Sequence, residues 1–232
     1  PAHAAVATLP ACLAAFRVPG NAAEEVIVVD DGSPDATAKV AEAHGARVLR
    51  LDRNGGPSRA RNAGAGLATG SVLFFVDADV VLMPGAVDRV RRGLKERPEL
   101  AALFGSYDDR PAAPGLVSRF RNLLHHFMHQ RGSEQAATFW AACGAVRREL
   151  FLEVGGFDCA GHPRCIEDIE LGYRIRAKGW LIGLDKGLQC THLKRWSLAG
   201  MIRTDLFCRA VPWARLNLER RAHPADLNLR PS

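Results

Sequence analysis

The chain has 232 residues, of which 47% are hydrophobic and 24% charged; this composition supports a buried core and excludes intrinsic disorder as the main state. Its 31 basic and 25 acidic residues leave a formal net charge of +6, a modest excess that suits nucleic acid, anionic lipid or a phosphorylated small substrate without selecting among them. No apolar run reaches the roughly 20 residues of a membrane span, and the first ten residues lack the cationic start and long apolar stretch of a secretory signal.

In chain order, residues 9–16 read as a helix. Residues 26–29 form a continuous β-branched run that ends in Asp30-Asp31-Gly32-Ser33, the pattern of a strand buried on both faces. Residues 35–44 are helical, with Asp35 as the expected N-cap and Gly45 just past the end. Residues 48–51 read as a strand, 58–67 as a helix stopped near Gly70, 71–76 as a strand, 84–95 as a helix and 100–107 as a strand. Strands alternating with helices predict parallel βαβ units in an α/β fold. Such a domain usually opens with a strand, whereas this chain starts at Pro1 ahead of a helix, so the first strand is expected to be missing from the sheet.

The second half changes character. Residues 116–130 have helical periodicity and carry His125, His126 and His129. His125 and His129 stand four apart on one face, a spacing open to metal ligation or to a solvated or interdomain face. Residues 139–146 read as a strand, 148–154 as a short helix, 166–178 as a helix, and 181–184 and 188–193 as strands. Residues 197–218 are amphipathic and basic, with Trp196 and Trp213 near the ends. Six cysteines occur at irregular spacing without a C-x-x-C, the usage of reduced thiols in a cytosolic setting. Cys159 and Cys165 flank His162 at a spacing too loose for a four-ligand zinc site.

Three acidic clusters end or open predicted elements: Asp30-Asp31, Asp77-Ala78-Asp79 after an apolar strand, and Glu167-Asp168 at a helix start. In open parallel sheets, ligands bind outside the carboxyl ends of the strands, so the clusters are placed to meet. Two carboxylates one residue apart suit magnesium or manganese together with phosphate oxygens, although aspartates also cap turns. The Gly-rich turn at 54–62, with Arg59 and Arg61, offers N–H groups and charge to an anion. It is neither a dinucleotide fingerprint nor a P-loop, and a plain connection is its other reading. Glu167 and Asp168 can stabilise a helix dipole or act as a general base. His192 can complete a metal shell, with Lys194 and Arg195 beside a diphosphate; a basic surface strand end is the alternative.

Taken in order, Pro1-Ala2-His3, Val28 to Ser33, Asn54-Gly55 with Ala60-Arg61-Asn62, Asp77-Ala78-Asp79, Gly155 to Asp158, and Glu167-Asp168 followed by Leu171 resemble the inverting family 2 glycosyltransferases. The resemblance implies a GT-A fold, a Rossmann-like and mostly parallel sheet with flanking helices. It implies a nucleotide-sugar-binding half at 1–110, an acceptor and catalytic half at 111–195, and a basic amphipathic segment at 196–232. It places Pro1, Ala2 and His3 beside the base, with His3 where the family often has tyrosine. Asp31 falls at the uracil edge and Asp30 in the nucleoside region, with Asn54, Gly55 and Arg61 also nucleotide-binding. Asp79 becomes the ligand of Mn2+ or Mg2+, Asp77 lies near the ribose or a metal-bound water, and His192 joins the metal shell. Asp168 becomes the catalytic base with Glu167 its neighbour. Trp140, Ala142, Cys143 and Gly144, together with Lys194, Arg195 and Trp196, line the donor and acceptor cleft.

The implied reaction moves a sugar from a nucleoside-diphosphate sugar, UDP above others, to an acceptor hydroxyl. The tail resembles that of bacterial members acting at the cytoplasmic membrane face on lipid-linked or envelope polysaccharide acceptors. Two other classes share these features: a sugar nucleotidyltransferase, whose usual Gly-rich basic loop is missing from Ala2 to Thr8, and a noncatalytic nucleotide-sugar sensor. A nucleic-acid binder fits least, since no RNP, zinc-finger or helix-turn-helix signature appears.

Overall fold

A computed structural model describes residues 1–161 and 164–220. Helix α1 (Leu9–Ala14) continues into a 3-10 turn and is followed by β1 (Ile27–Asp30), α2 (Thr37–Ala43), β2 (Arg47–Arg50), α3 (Pro57–Leu67), β3 (Val72–Val76), β4 (Val80–Leu82), α4 (Ala86–Glu96) and β5 (Leu100–Tyr107). Then come α5 (Leu116–Arg131), β6 (Gln135–Ala136), β7 (Cys143–Arg147), α6 (Arg148–Glu153), α7 (Glu167–Ala177) and β8 (Leu181–His192). The described chain closes with α8 (Leu198–Arg203), a π-helical stretch (Thr204–Ala210) and α9 (Val211–Arg220).

The main sheet has the order β3-β7-β5-β8-β4, with β6 pairing on β8. Strands β3, β5 and β8 run in one direction: β5 and β8 pair in parallel, and β7 lies antiparallel between β3 and β5. Strands β4 and β6 also join β8 antiparallel. The α/β architecture is as expected. The antiparallel inserts were not visible in the pattern because β4 and β6 are too short to show a period. Strands from the two sequence halves alternate in this one sheet, and β4, which follows β3 directly after Asp77-Ala78-Asp79, pairs with the end of β8 through Val80 and His192.

Burial explains the elements. All eight residues of β5 are buried, since helices cover both faces of this central strand. Helix α4 turns Val87, Val90 and Leu94 to the core and its charges outward. Strand β8 is continuous where the sequence suggests two strands. The polar break at Asp185-Lys186-Gly187 is a bulge against β5 with a register shift between Phe104 and Ser106, and Asp185 there accepts Arg89 Nε at 2.6 Å. At the same bulge a Cβ on Gly105 would run into the backbone of Leu188. The expected strand at 139–146 forms only from Cys143, because residues 139–142 turn beneath the cleft. Asp35 caps α2 from one residue further out: its carboxylate accepts both the N–H (3.1 Å) and the hydroxyl (2.5 Å) of Thr37.

Strands β1 and β2 form a separate parallel pair. Ala2 bridges Asp30 in parallel at the edge of β1, donating to Val29 O and accepting from Asp31 N–H, both at 2.8 Å. Between β1 and β3 lies a mainly apolar cavity of about 570 Å³, bordered by Leu13, Val28, Val29 and Phe74. The sheet, expected from sequence to lack an opening strand, is divided at this edge.

Helix α7 sets the position of the acidic pair at its start, and its fit against the preceding loop depends on Gly172. A Cβ there would meet the backbone of Thr138 and Phe139. Gly172→Ala is expected to cost about 1–3 kcal/mol through overpacking, read as a lowered midpoint in urea denaturation with an unchanged slope.

Candidate active site

The tips of β1, β3 and β8 and the start of α7 open on one cleft of about 860 Å³. Asp31, Asp79 and Asp168, far apart in sequence, all border it. The first wall is the turn after β1. Asp31 is buried and accepts the N–H groups of Gly55 (2.9 Å) and Gly56 (2.8 Å), so its carboxylate holds the Gly-rich turn against β1. Gly56 has φ +91°, which favours glycine there. Asp30 accepts Ser33 N–H at 3.0 Å and lies behind the cleft, as does Gly55. Pro1, Ala2, His3 and Asn54 reach the cleft; His3 Nδ1 lies 3.0 Å from Asp31 O, and Asn54 accepts Arg164 at 2.9 Å.

The centre is an ion triad. Arg61, on α3 and only 5% exposed, reaches Glu167 Oε1 at 2.6 Å with one nitrogen and Asp77 Oδ1 at 2.7 Å with the other. Its guanidinium also lies 5.3 Å from the ring centre of Phe157. Burial opposes its charge, but the carboxylates of Asp77 and Glu167 outweigh that and hold it protonated. Arg61 is thus sequestered by two acids, and Glu167 is turned toward it.

Asp168 follows Glu167 at the first turn of α7, after Ile166 in a left-handed conformation (φ +55°). Its carboxylate accepts Ala141 N–H at 3.3 Å and Ile169 N–H at 2.9 Å. Burial and then the charge of Glu167 push its pKa up to about 6, against the pull of Arg61. A carboxyl so tuned is ionised at neutral pH and basic enough to accept a proton.

Across the cleft, Asp79 Oδ2 lies 3.3 Å from His192 Nε2. Burial works against the Asp79 charge, but His192 and then Lys194 lower its pKa. Among the described residues no three His, Cys, Asp or Glu side chains form a metal cluster. The Asp79–His192 pair nevertheless supplies one hard oxygen and one imidazole nitrogen in an accessible cleft. That donor set fits a divalent ion whose other ligands are phosphate oxygens and water. Asp77 has one oxygen committed to Arg61.

Trp140 and Ala142 border the cleft, as do Lys194, Arg195 and Trp196. Lys194 Nζ lies 4.2 Å from the Trp196 ring centre, a cation–π arrangement. Cys143 and Gly144, expected at the cleft, are core residues of β7 paired with Val76 and Phe75. The reason is the short β7: its first residue already lies inside the sheet. His125 and His129 do share a helix face, but they pack on Trp140, and their rings sit 5.2 Å apart. Burial lowers the pKa of His129 to about 4, and burial with the nearby Arg209 charge also holds that of His125 well below the ordinary histidine range. His162 lies outside the described residues, as do residues 221–232 of the basic tail. Tyr107, stacked at 4.6 Å on His192, and Arg209 and Trp213 of the C-terminal helices also line the cleft. Only the amphipathic pattern near Trp213 hinted at these residues.

The sequence profile described as Glycosyl transferase family 2 matches residues 1–155. The chain is 29% identical over 226 residues to a validoxylamine A glucosyltransferase of Streptomyces hygroscopicus subsp. jinggangensis, covering 81% of this chain and 54% of that protein. It spans 54% of that protein's length and 58% of the length of an uncharacterized glycosyltransferase of Haemophilus influenzae, to which it is 26% identical over 182 residues (73% of this chain). Its fold is similar to a mannosyltransferase of Pyrobaculum calidifontis solved with GDP-Man and Mn2+ (TM-score 0.61, 22% identity, 82% of this chain and 55% of the other). It is also similar to residues 1–349 of S. aureus TarS solved with UDP (TM-score 0.63, 18% identity, 82% and 58%).

Removing the cation of the triad leaves the buried Glu167 and the half-buried Asp77 without their shared counter-charge. Arg61→Ala is therefore expected to destabilise the chain by about 3–5 kcal/mol, measured by chemical denaturation at neutral pH.

Proposed function

The chain belongs to glycosyl transferase family 2, and on that premise we propose that its cleft transfers a sugar from a nucleoside-diphosphate sugar to an acceptor hydroxyl with inversion. The observation carrying this reading is the convergence of Asp31, Asp79 and Asp168 on one cleft. Solved proteins of similar fold hold GDP-Man with Mn2+ or UDP, and UDP is the donor nucleotide we propose here. The nucleoside lies along Pro1 to His3 and the Asp31 turn, where backbone and the His3 ring border the cleft. Asp79 and His192, with Asp77 beside them, would hold a divalent ion, manganese or magnesium, which when bound would supply positive charge to offset that of the leaving diphosphate.

Asp168 is the base. It takes the proton of the acceptor hydroxyl as the oxygen attacks the anomeric carbon, and the nucleoside diphosphate leaves from the opposite face. Glu167 raises the basicity of Asp168 through its charge and is itself held by Arg61; its role is positional rather than acid–base. Trp140, packed edge-on to Tyr107 at 4.8 Å, gives the sugar an aromatic wall.

The acceptor we propose is an envelope glycan or a lipid-linked sugar met at a membrane surface. The support is an exposed apolar face. Leu116, Phe120 and Phe127 on α5, and Leu198, Ile202 and Phe207 on the C-terminal helices, are all exposed. The two elements are joined by Ser118 with Trp196 and by Arg121 with Asp205 at 2.6 Å. Arg119, Arg195 and Arg203 add positive charge around that face, the composition of an interfacial surface on anionic lipid. No helix among the described residues is long and apolar enough to cross a membrane.

Four measurements test the reading. With a UDP-sugar and manganese, nucleoside diphosphate rather than pyrophosphate is the expected product, and Asp168→Asn is expected to keep nucleotide affinity while turnover falls by about 10²–10⁴-fold. In the wild type, kcat/KM is expected to fall about tenfold per pH unit below about 6, as Asp168 takes up its proton. A flat acid limb, or an active Asp168→Asn, rejects the base assignment. In a flotation assay, the chain is expected to rise with anionic vesicles at low salt and to be released as salt screens the arginines; sedimentation away from the vesicles at low salt rejects the membrane surface.

A further inference from the structure

Arg209 has no place in the motifs read from the sequence, yet it borders the cleft. It lies in the π-helical stretch Thr204–Ala210. The wider turn shifts the helix phase, so Cys208, Arg209 and Trp213 line the cleft while Leu206 and Phe207 stay exposed. Such distortions concentrate at functional sites.

Its electrostatic position is unusual. Among the described residues its one polar partner is His125 Nε2 at 3.0 Å. Asp205, on the same stretch, is taken by Arg121 at 2.6 Å. His125 cannot balance the charge, since an imidazole is neutral or cationic, and burial and then Arg209 keep this ring neutral. The charge reaches Asp168, whose ionised form it favours, and Tyr107, whose ring stacks on His192. A half-buried cation with no ion-pair partner among the described residues thus lines the same cleft as the base and the Asp79–His192 pair. Charges so placed are costly unless an anion completes them.

We propose that Arg209 binds a phosphate group of the substrate, a refinement that rests on the nucleotide-sugar reading above. The planar guanidinium fork matches two phosphate oxygens, as a lysine cannot. The phosphate has two possible sources: the diphosphate of the donor, or a phosphate on a lipid-linked acceptor.

Calorimetry on the full chain separates them. Pyrophosphate and UDP with manganese are titrated into wild type, Arg209→Gln and Arg209→Lys, with uridine as a control and thermal denaturation to confirm folding. If the donor is the source, Arg209→Gln loses at least tenfold in affinity for UDP and pyrophosphate and nothing for uridine, while Arg209→Lys loses less. If the acceptor is the source, UDP affinity holds, and KM rises at least tenfold for a phosphate-bearing acceptor but not for a phosphate-free one. No change in either arm overturns the assignment, even with normal UDP binding and an intact nucleotide-sugar reading. A wild type that binds no UDP overturns that reading, and pyrophosphate still tests Arg209 apart from it. Should Arg209→Gln not fold, Arg209→Lys decides, an unchanged affinity and KM overturning the assignment.

Discussion

The buried guanidinium of Arg61 is the interaction on which the site depends. It bridges the end of β3, through Asp77, and the start of α7, through Glu167, at 2.7 and 2.6 Å. Without a shared cation these two acids would repel at the edge of the cleft, and the two elements would lose the tie that holds them at that spacing. The sheet supplies the approximate geometry by interleaving β3, β7, β5 and β8. The triad supplies the register between the proposed donor side and the proposed base.

That arrangement separates the roles of neighbouring acids. Glu167 and Asp168 are adjacent on one helix, but one faces a cation and the other backbone N–H groups. The first is paired with Arg61, while burial and then the charge of that neighbour raise the second to about 6. Asp77 and Asp79 divide in the same way: Asp77 faces Arg61 and Asp79 faces His192. In each pair one member is structural and leaves the other free for the cleft. Environment thus separates carboxylates that share a motif.

The acidic tips were legible in the sequence because each ends an apolar run or opens a helix, and those boundaries are local. The α/β class was legible for the same reason. What stayed hidden depends on contacts between distant segments. Asp31 reads as a ligand contact, but its carboxylate is committed to the Gly55-Gly56 turn, a partner 24 residues away. Cys143 and Gly144 read as part of a cleft-lining stretch, yet pairing with β3 puts them in the core. Strand β8 looked like two strands because its bulge is polar. Arg209 lay in a segment whose pattern records only which face is apolar, and a π-helical turn changes which residues point inward without altering composition.

The C-terminal helices therefore present two sides, each with its own residues. Their outward side, with Ile202 and Phe207, extends the apolar face of α5. Their inward side, with Arg209 and Trp213, walls the cleft, and Trp213 donates to Tyr173 on α7 at 2.8 Å. Arg121 to Asp205 and Trp196 to Ser118 fasten this segment to α5. A surface that covers the apolar side would press the segment against α5 and α7 together. In the proposed enzyme, the cation and aromatic wall of the cleft would then be held in place where a lipid-linked acceptor is met. On that proposal, location and cleft assembly would be one equilibrium, because the same short helices carry both faces.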